Sequence, residues 1–519
     1  MKKILRLFFV AALFIYTAGC SFAEDKNVWV NNLRSIFLNN SAIIYGINLR
    51  TFNAQDANKN GLIDFDENEE SGTFLNAIDR LDELKNRGIN TIHLLPITPV
   101  GTTKALGTAG SLYAASDFKS LNPQLGSDKT ALSIEYQARK FITEAHKRGI
   151  SVIVDLPSMG SYNLYMTRPE LFVKDKSGQP VIPVDWTDTR LLDAGTESEI
   201  NHNVFMEYKG FVDMVIGLGA DGIRADVASC KPAKFWKELI DYSRKKDNQF
   251  LWLAEASDSW TKPVHEEAVY TPYDKLLEAG FDGFYGSFFN LKDWKTGKEL
   301  TDHLLFIKSL YNKYPDRKTA IGSFSTHDEL SPILINGEPF SEMIIWLNAT
   351  MPINSYAIDG FPTGDNYIYF WANKKADKTF TDDEYYFAHR GKMDIFNFSR
   401  RPGGRSMNLS EQYDAANRFK LYMAPVLNNG DIHIFKTSSS SVFAYAISYS
   451  KQTVLVVGNL NSRVQQEVEF KLPKFDAESK MLMPLKLINV PHVEKNKFKT
   501  TLYPAEIQVY MIEDYEIKK

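Results

Sequence analysis

Between residues 42 and 360 the chain alternates two hydrophobic periodicities. Short apolar runs read as β-strands: AIIYGINL (42–49), NTIHLLPI (90–97), SVIVDLP (151–157), GADGIRADVAS (219–229), FLWLAEAS (250–257), FDGFYGSFF (281–289), TAIGSFSTHDE (319–329) and PINSYAIDG (352–360). Helical patterns lie between them. In TFLNAIDRLDELKNRG, Phe74, Leu75, Ile78, Leu81 and Leu84 fall on one face at helical spacing. ALSIEYQARKFITEAHKRG closes on Gly149, and FMEYKGFVDMVIGLG precedes the fourth strand. Near-continuous apolar strands that end in polar residues suit a parallel sheet covered on both faces. Eight such units over this length predict an α/β fold, a (β/α)8 TIM barrel rather than an open sheet. The stretch 158–202 after the third strand is long enough to form a small subdomain over the barrel mouth. From about residue 430 the runs IHIFKT, SVFAYAISY, QTVLVVGNL, QEVEFKL and AEIQVYMI predict a separate antiparallel β-sandwich at 430–519, with the catalytic-type barrel spanning 27–429.

Composition changes this picture little. A chain of 519 residues exceeds one small core, and its 44% hydrophobic and 24% charged residues are ordinary for a globular protein. The net charge of −4, with acids and bases interleaved, gives no footprint for a nucleic-acid partner. The N-terminus, MKKILRLFFVAALFIYTAGC, joins a basic start to a short apolar run and small residues, so 1–23 reads as a secretory signal. Two endings fit: a lipidated Cys20 after Thr-Ala-Gly, or ordinary cleavage after 21–23. Either exports the protein to the cell envelope, as a periplasmic protein or an outer-membrane lipoprotein, and a lipid anchor would be its only membrane contact. The one other cysteine, Cys230, leaves no pair for a disulfide within the mature chain.

One stretch interrupts the first strand–helix unit. DANKNGLIDFDE (56–67) has oxygen-bearing side chains at its first, third, fifth and ninth places, Gly61 at the sixth and Glu67 at the twelfth. That is the pattern of the twelve-residue calcium loop of a helix–loop–helix hand. The segment before it is β-type, so the context here is strand–loop–helix and not a sensor hand.

Carboxylates mark three strand ends. Arg224 and Asp226 lie two residues apart in GIRAD and point to one face of the strand. Glu255 closes LAE, and His327 and Asp328 close FSTHD. A charge near a barrel axis is costly unless paired, so Arg224 is expected beside Asp226. A carboxylate kept ionised suits a nucleophile, and a glutamate in a more apolar setting has the raised pKa that a general acid needs. Such a pair about 5–5.5 Å apart hydrolyses glycosidic bonds with retention.

In this order GIRAD, LAE and FSTHD resemble the second, third and fourth signature regions of the α-amylase family of glycoside hydrolases, and VIVD (152–155) resembles the first. GSLYAASDF (110–118), Trp186–Asp188, Leu192–Asp193 and VLVVGNLNS also match, so the resemblance covers nearly the whole mature chain. It implies that Asp226 is the nucleophile, Glu255 the acid and base, and Asp328 the carboxylate that holds sugar hydroxyls. Arg224 and His327 would orient them, and Tyr113 would stack on the sugar ring. It further implies an α-glucan substrate with α-1,4 links, a structural Ca2+ held by Asp56, Asn58, Asn60, the Leu62 carbonyl and Asp64, and two alternatives: a transglycosylase, or a silent carbohydrate-binding relative. The chain departs from the first region's pattern, because Met159 and Gly160 stand where Asn and His are expected. His93 reads as a core histidine or a mouth residue. Trp260 and YIYFWANKK (367–375) read as sugar subsites or loop packing, 400–405 as a solvated loop and Arg390 as a substrate contact.

Overall fold

A computed structural model of the chain describes residues 29–55, 69–105, 110–183, 186–285, 288–329, 331–364, 406–475, 480–482, 491–494 and 496–517. The leader with Cys20, the loop 56–68 with all five expected calcium ligands, 367–375, Arg390 and 400–405 lie outside the described residues.

Eight parallel strands form one sheet: β1 (Ile43–Ile47), β2 (Thr91–Leu94), β3 (Ser151–Leu156), β6 (Gly222–Ala225), β7 (Leu251–Glu255), β8 (Gly283–Tyr285), β9 (Thr319–Ala320) and β10 (Ser355–Ile358). The last strand returns beside the first, with Ile43 opposite Ser355 and Gly46 opposite Ile358. A parallel bridge between Ile321 and Asn354 joins β9 to β10 and closes the ring into the expected barrel. Helices such as Ile134–Lys147 and His202–Leu218 run between the strands, and their apolar faces complete one continuous core with the sheet.

The strands are shorter than their apolar runs. Leu49 already opens a helical turn, because the Asn48 side chain accepts the Arg50 amide at 3.1 Å and caps it. The seventh strand is only two residues long, and after the single bridge at Ile321 residues 322–329, expected as strand, leave the sheet as turns and bends. In the stretch after β3, Met159–Ser161 (β4) pairs antiparallel with Thr189–Leu191 (β5). Gly160 is required there, since a Cβ would sit 2.8 Å from the Phe172 ring.

After the helix Met407–Asn429 the chain turns antiparallel. A five-stranded sheet runs β11 (Asp431–Ile434), β12 (Val442–Tyr449), β13 (Gln452–Asn459), β18 (Ile507–Glu513) and β15 (Lys480–Leu482). A three-stranded sheet runs β14 (Gln466–Lys471), β17 (Lys497–Leu502) and β16 (His492–Glu494). Alternate side chains of β12 face two cores. Phe443, Tyr445 and Ile447 join the barrel core, whereas Val442, Ala444 and Ala446 join a second core with Val468, Phe470 and Phe498 of the smaller sheet. A strand buried on both faces loses the polar half of the period-two pattern, which is why SVFAYAISY reads as a continuous apolar run.

Candidate active site

The C-terminal ends of β3, β6 and β7 converge on one cation. Arg224, fully buried, directs Nη1 to both oxygens of Asp155 (2.9 and 3.0 Å) and to Asp226 Oδ1 (3.0 Å). Its Nη2 lies 3.0 Å from Glu255 Oε1. The guanidinium carbon stands 5.0 Å from the centre of the Tyr285 ring and 6.0 Å from that of Tyr113. Parallel strands in register explain the convergence, since Asp155 pairs with Arg224 and Ala225 with Ala254, one residue before Glu255.

A second layer fixes this group. His93 bridges Asp155 Oδ2 and the Tyr356 hydroxyl, both at 3.2 Å. The Tyr113 hydroxyl donates to Asp155 Oδ2 at 2.9 Å and lies 2.7 Å from His327 Nε2, so the His327 tautomer that fits carries its proton on Nε2. The Tyr113 and His327 rings stack, with centroids 5.5 Å apart and planes within 5°. Backbone amides complete the set: Ser158 donates to Asp226 Oδ2 (3.0 Å) and Val227 to Glu255 Oε2 (2.7 Å). To aim that amide, Val227 takes a left-handed backbone, φ 35° and ψ 55°, a rare choice for a β-branched residue.

The electrostatics separate the acids. Burial would raise Asp155, but Arg224 and His93 outweigh it and hold it below the usual carboxylate range. Burial raises Asp226 against the pull of Arg224, so the pairing with Arg224 does not by itself settle its ionisation. Burial lifts Glu255 well above its ordinary value, and Asp226 and Asp328 push the same way while Arg224 opposes. One cation cannot neutralise three carboxylates, and of the three Glu255 is pushed furthest toward its protonated form. Asp328 stands 41% exposed at the mouth; its surroundings raise it, and the remaining contact with water moderates the rise. Burial and Arg224 push His327 well below its ordinary value, so its imidazole is neutral.

Arg224, Asp226, Glu255, Asp328, His327 and Tyr113, all expected from the sequence, therefore meet in one place. Asp155, His93, Tyr285 and Tyr356 join them there; His93 was read as a core or mouth residue and Asp155 as part of the first signature-like region, whereas Tyr285 and Tyr356 carried no expectation. His93 and Asp155 interrupt apolar strands with a polar inward position, the one sequence signal that marks them. Ser158 and Val227 contribute main-chain amides, which leave no residue-type signature. Trp260 is partly buried, and the Tyr270 hydroxyl donates to its carbonyl. Among the described residues no group of three or more His, Cys, Asp or Glu side chains is placed to hold a metal ion.

No protein-family model matches the chain. Among curated proteins it is 26% identical over 426 residues to the α-1,4-glucan:maltose-1-phosphate maltosyltransferase 1 of Streptomyces coelicolor, covering 77% of this chain and 57% of that one. It is 27% identical over 219 residues to the enzyme of that name from Bifidobacterium animalis subsp. lactis, covering 38% and 28%. The chain thus spans between about a quarter and three fifths of these relatives' own length. Its fold matches the crystal structure of an α-amylase from Lactobacillus plantarum with a TM-score of 0.66 at 17% identity, over 91% of this chain and 99% of the other.

Proposed function

Since the chain belongs to the α-amylase family of glycoside hydrolases, we propose that it is a retaining glycosidase of α-1,4-linked glucans, exported, and working through a covalent glycosyl-enzyme. One observation carries the reading: Arg224 ties Asp226 and Glu255 together at adjacent strand ends, where burial raises the Glu255 carboxyl well above its ordinary value.

In the first step Glu255 gives its proton to the glycosidic oxygen as Asp226 attacks the anomeric carbon and the C–O bond to the leaving sugar breaks. In the second, Glu255 takes a proton from water, which displaces Asp226 and restores the free enzyme. Asp226 needs its lone pair aimed and its charge available. Arg224 and the Ser158 amide each hold one oxygen, which fixes the carboxylate plane at no cost during the reaction. Asp328, partly exposed, and the neutral, buried His327 beside it would hold sugar hydroxyls. In the resting arrangement the Tyr113 ring stacks on His327, and its hydroxyl anchors the pair to Asp155.

Transfer to a second sugar or to phosphate is the alternative reading, favoured by the names of the curated relatives. The chemistry differs only in what attacks the glycosyl-enzyme. We also propose that 56–67 binds Ca2+. The described flanks support a closed loop, since Gln55 and Glu70 exchange both main-chain hydrogen bonds at its stem, at 2.7 and 3.0 Å. The ion would pin this loop and supply no catalytic step.

Turnover of maltooligosaccharides tests the main reading. Glu255→Gln is expected to lower kcat by about 10³-fold or more on substrates with poor leaving groups, and far less on activated aryl glycosides. Equal turnover by Glu255→Gln and wild type would overturn it. Product analysis with maltose, with phosphate or with neither separates hydrolysis from transfer.

A further inference from the structure

Behind the nucleophile lies a second buried cation that the reaction as written does not use. Lys231 is fully buried five residues after Asp226, and among the described residues it forms no ion pair. Its ammonium donates to two atoms of a single residue, the Ser158 carbonyl at 2.8 Å and the Ser158 hydroxyl at 2.7 Å. Its other side faces aromatic rings, 4.9 Å from the centre of Tyr208 and 5.9 Å from that of Trp236. The Tyr208 hydroxyl donates at 2.8 Å to the carbonyl of Pro157, the residue before Ser158. Two donors from two different elements therefore clamp consecutive carbonyls of the turn that follows β3.

That turn carries the amide that holds the nucleophile. Ser158 N–H donates to Asp226 Oδ2, and the Ser158 hydroxyl lies 3.4 Å from the carbonyl of Val227, whose own amide holds Glu255. Burying an ammonium without a carboxylate costs several kcal/mol, and an apolar residue of similar size would serve packing better. Burial pushes this amine down to about 8, against the pull of nearby Asp226. The Lys231 side chain is thus spent on orienting one serine, and that serine touches the nucleophile directly.

We propose that Lys231 is a positioning residue: through Ser158 it sets the amide that orients Asp226. This rests on the role given to Asp226 above. Lys231 touches no reacting atom, and its effect belongs to the transition state. Misplacing a reacting group by a fraction of an ångström costs about ten- to a hundredfold in rate. An interaction realised only in the transition state lowers kcat and leaves KM alone.

Lys231→Met keeps the volume and removes the donors. The expected result, per active site titrated with a mechanism-based fluorosugar, is a fall in kcat of about ten- to a hundredfold with KM within about twofold. Ser158→Ala keeps the carbonyl and loses one acceptor, so it is expected to fall between wild type and Lys231→Met. It should add little when combined with Lys231→Met, because the two act as one unit. Hydrogen exchange over 156–161 is expected to quicken in Lys231→Met while exchange in β12 and β13 stays unchanged. Unchanged kcat per titrated site, or additive effects of the two substitutions, would overturn the proposal. Should Lys231→Met not fold, Ser158→Ala decides through its kcat. A wild type that turns over no α-glucan refutes the function instead, and the exchange result alone then upholds or overturns the clamp.

Discussion

At the scale of single residues, the site is a problem in charge arithmetic. Arg224 meets Asp155, Asp226 and Glu255 within hydrogen-bonding distance. Asp155 is held low and Glu255 high, so the excess of acids over the single cation is relieved mainly on Glu255. The rate should follow a bell-shaped pH profile, rising as Asp226 ionises and falling as Glu255 loses its proton, and burial shifts both limbs upward. Stability follows the same shift. A carboxyl raised in the folded state stabilises it fully below the unfolded value of 4.5, and that stabilisation is lost as pH rises through the folded value. Wild type should therefore lose melting temperature relative to Glu255→Gln as pH rises above the unfolded value of 4.5, which thermal scans at increasing pH would check. Arg224 and Asp226 were legible as a pair because period-two spacing fixes which side chains share a strand face, and Glu255 as a carboxylate closing the next strand. His93 was legible only as a question, because one polar residue in an apolar strand does not say which neighbour it meets. Lys231 and Ser158 were not legible at all, since a main-chain amide and a buried amine meet only after β3 and β6 align.

At the scale of elements, the turn after β6 stores strain where the chemistry is. Val227 lies in the left-handed region, and its side chain packs with Met159, Val181, Leu191 and Cys230. Trimming it to Ala loses the packing and keeps the strain, whereas Gly loses the packing and relieves the strain. Val227→Gly should accordingly be more stable than Val227→Ala by about 1 kcal/mol, the reverse of the order in ordinary strands, as measured by denaturant unfolding. The sequence showed eight strands in order and missed their ends. β9 is only Thr319–Ala320, and just beyond it Gly322 fits tightly against Asn348: a Cβ there would fall 1.8 Å from Asn348 Oδ1, which accepts the Tyr356 amide at 3.1 Å. Side-chain contacts of this range do not register in a hydrophobic pattern. The loop 56–67 gives a further element-scale test. With two carboxylates among five proposed ligands its affinity should be modest, and removing calcium with a chelator should lower the melting temperature by a few degrees, with recovery on adding Ca2+ in excess. An unchanged melting temperature would refute a structural ion.

At the scale of the molecule, the barrel and the C-terminal sheets share a wall. The five-stranded sheet sends Phe443, Tyr445, Ile447, Val454 and Val456 into the barrel core, and Tyr445 and Thr350 join their hydroxyls across the seam at 2.9 Å. The sequence separated these parts by a change of texture near residue 430, which marks a change of topology and not a division of the core. One cooperative transition in calorimetry is expected for 31–517, rather than two. A chain cut after residue 429 should lose its solubility, because the helices that β12, β13 and β18 cover would be bare.

That shared wall also bears on how the protein is made. A barrel strand finds its neighbours soon after it is synthesised, yet the outer surface of this barrel stays greasy until β18, at Ile507–Glu513, arrives to finish the sheet. Apolar surface left uncovered in this way makes a partly synthesised chain prone to aggregation, so the order in which these strands are made bears on the yield of folded protein.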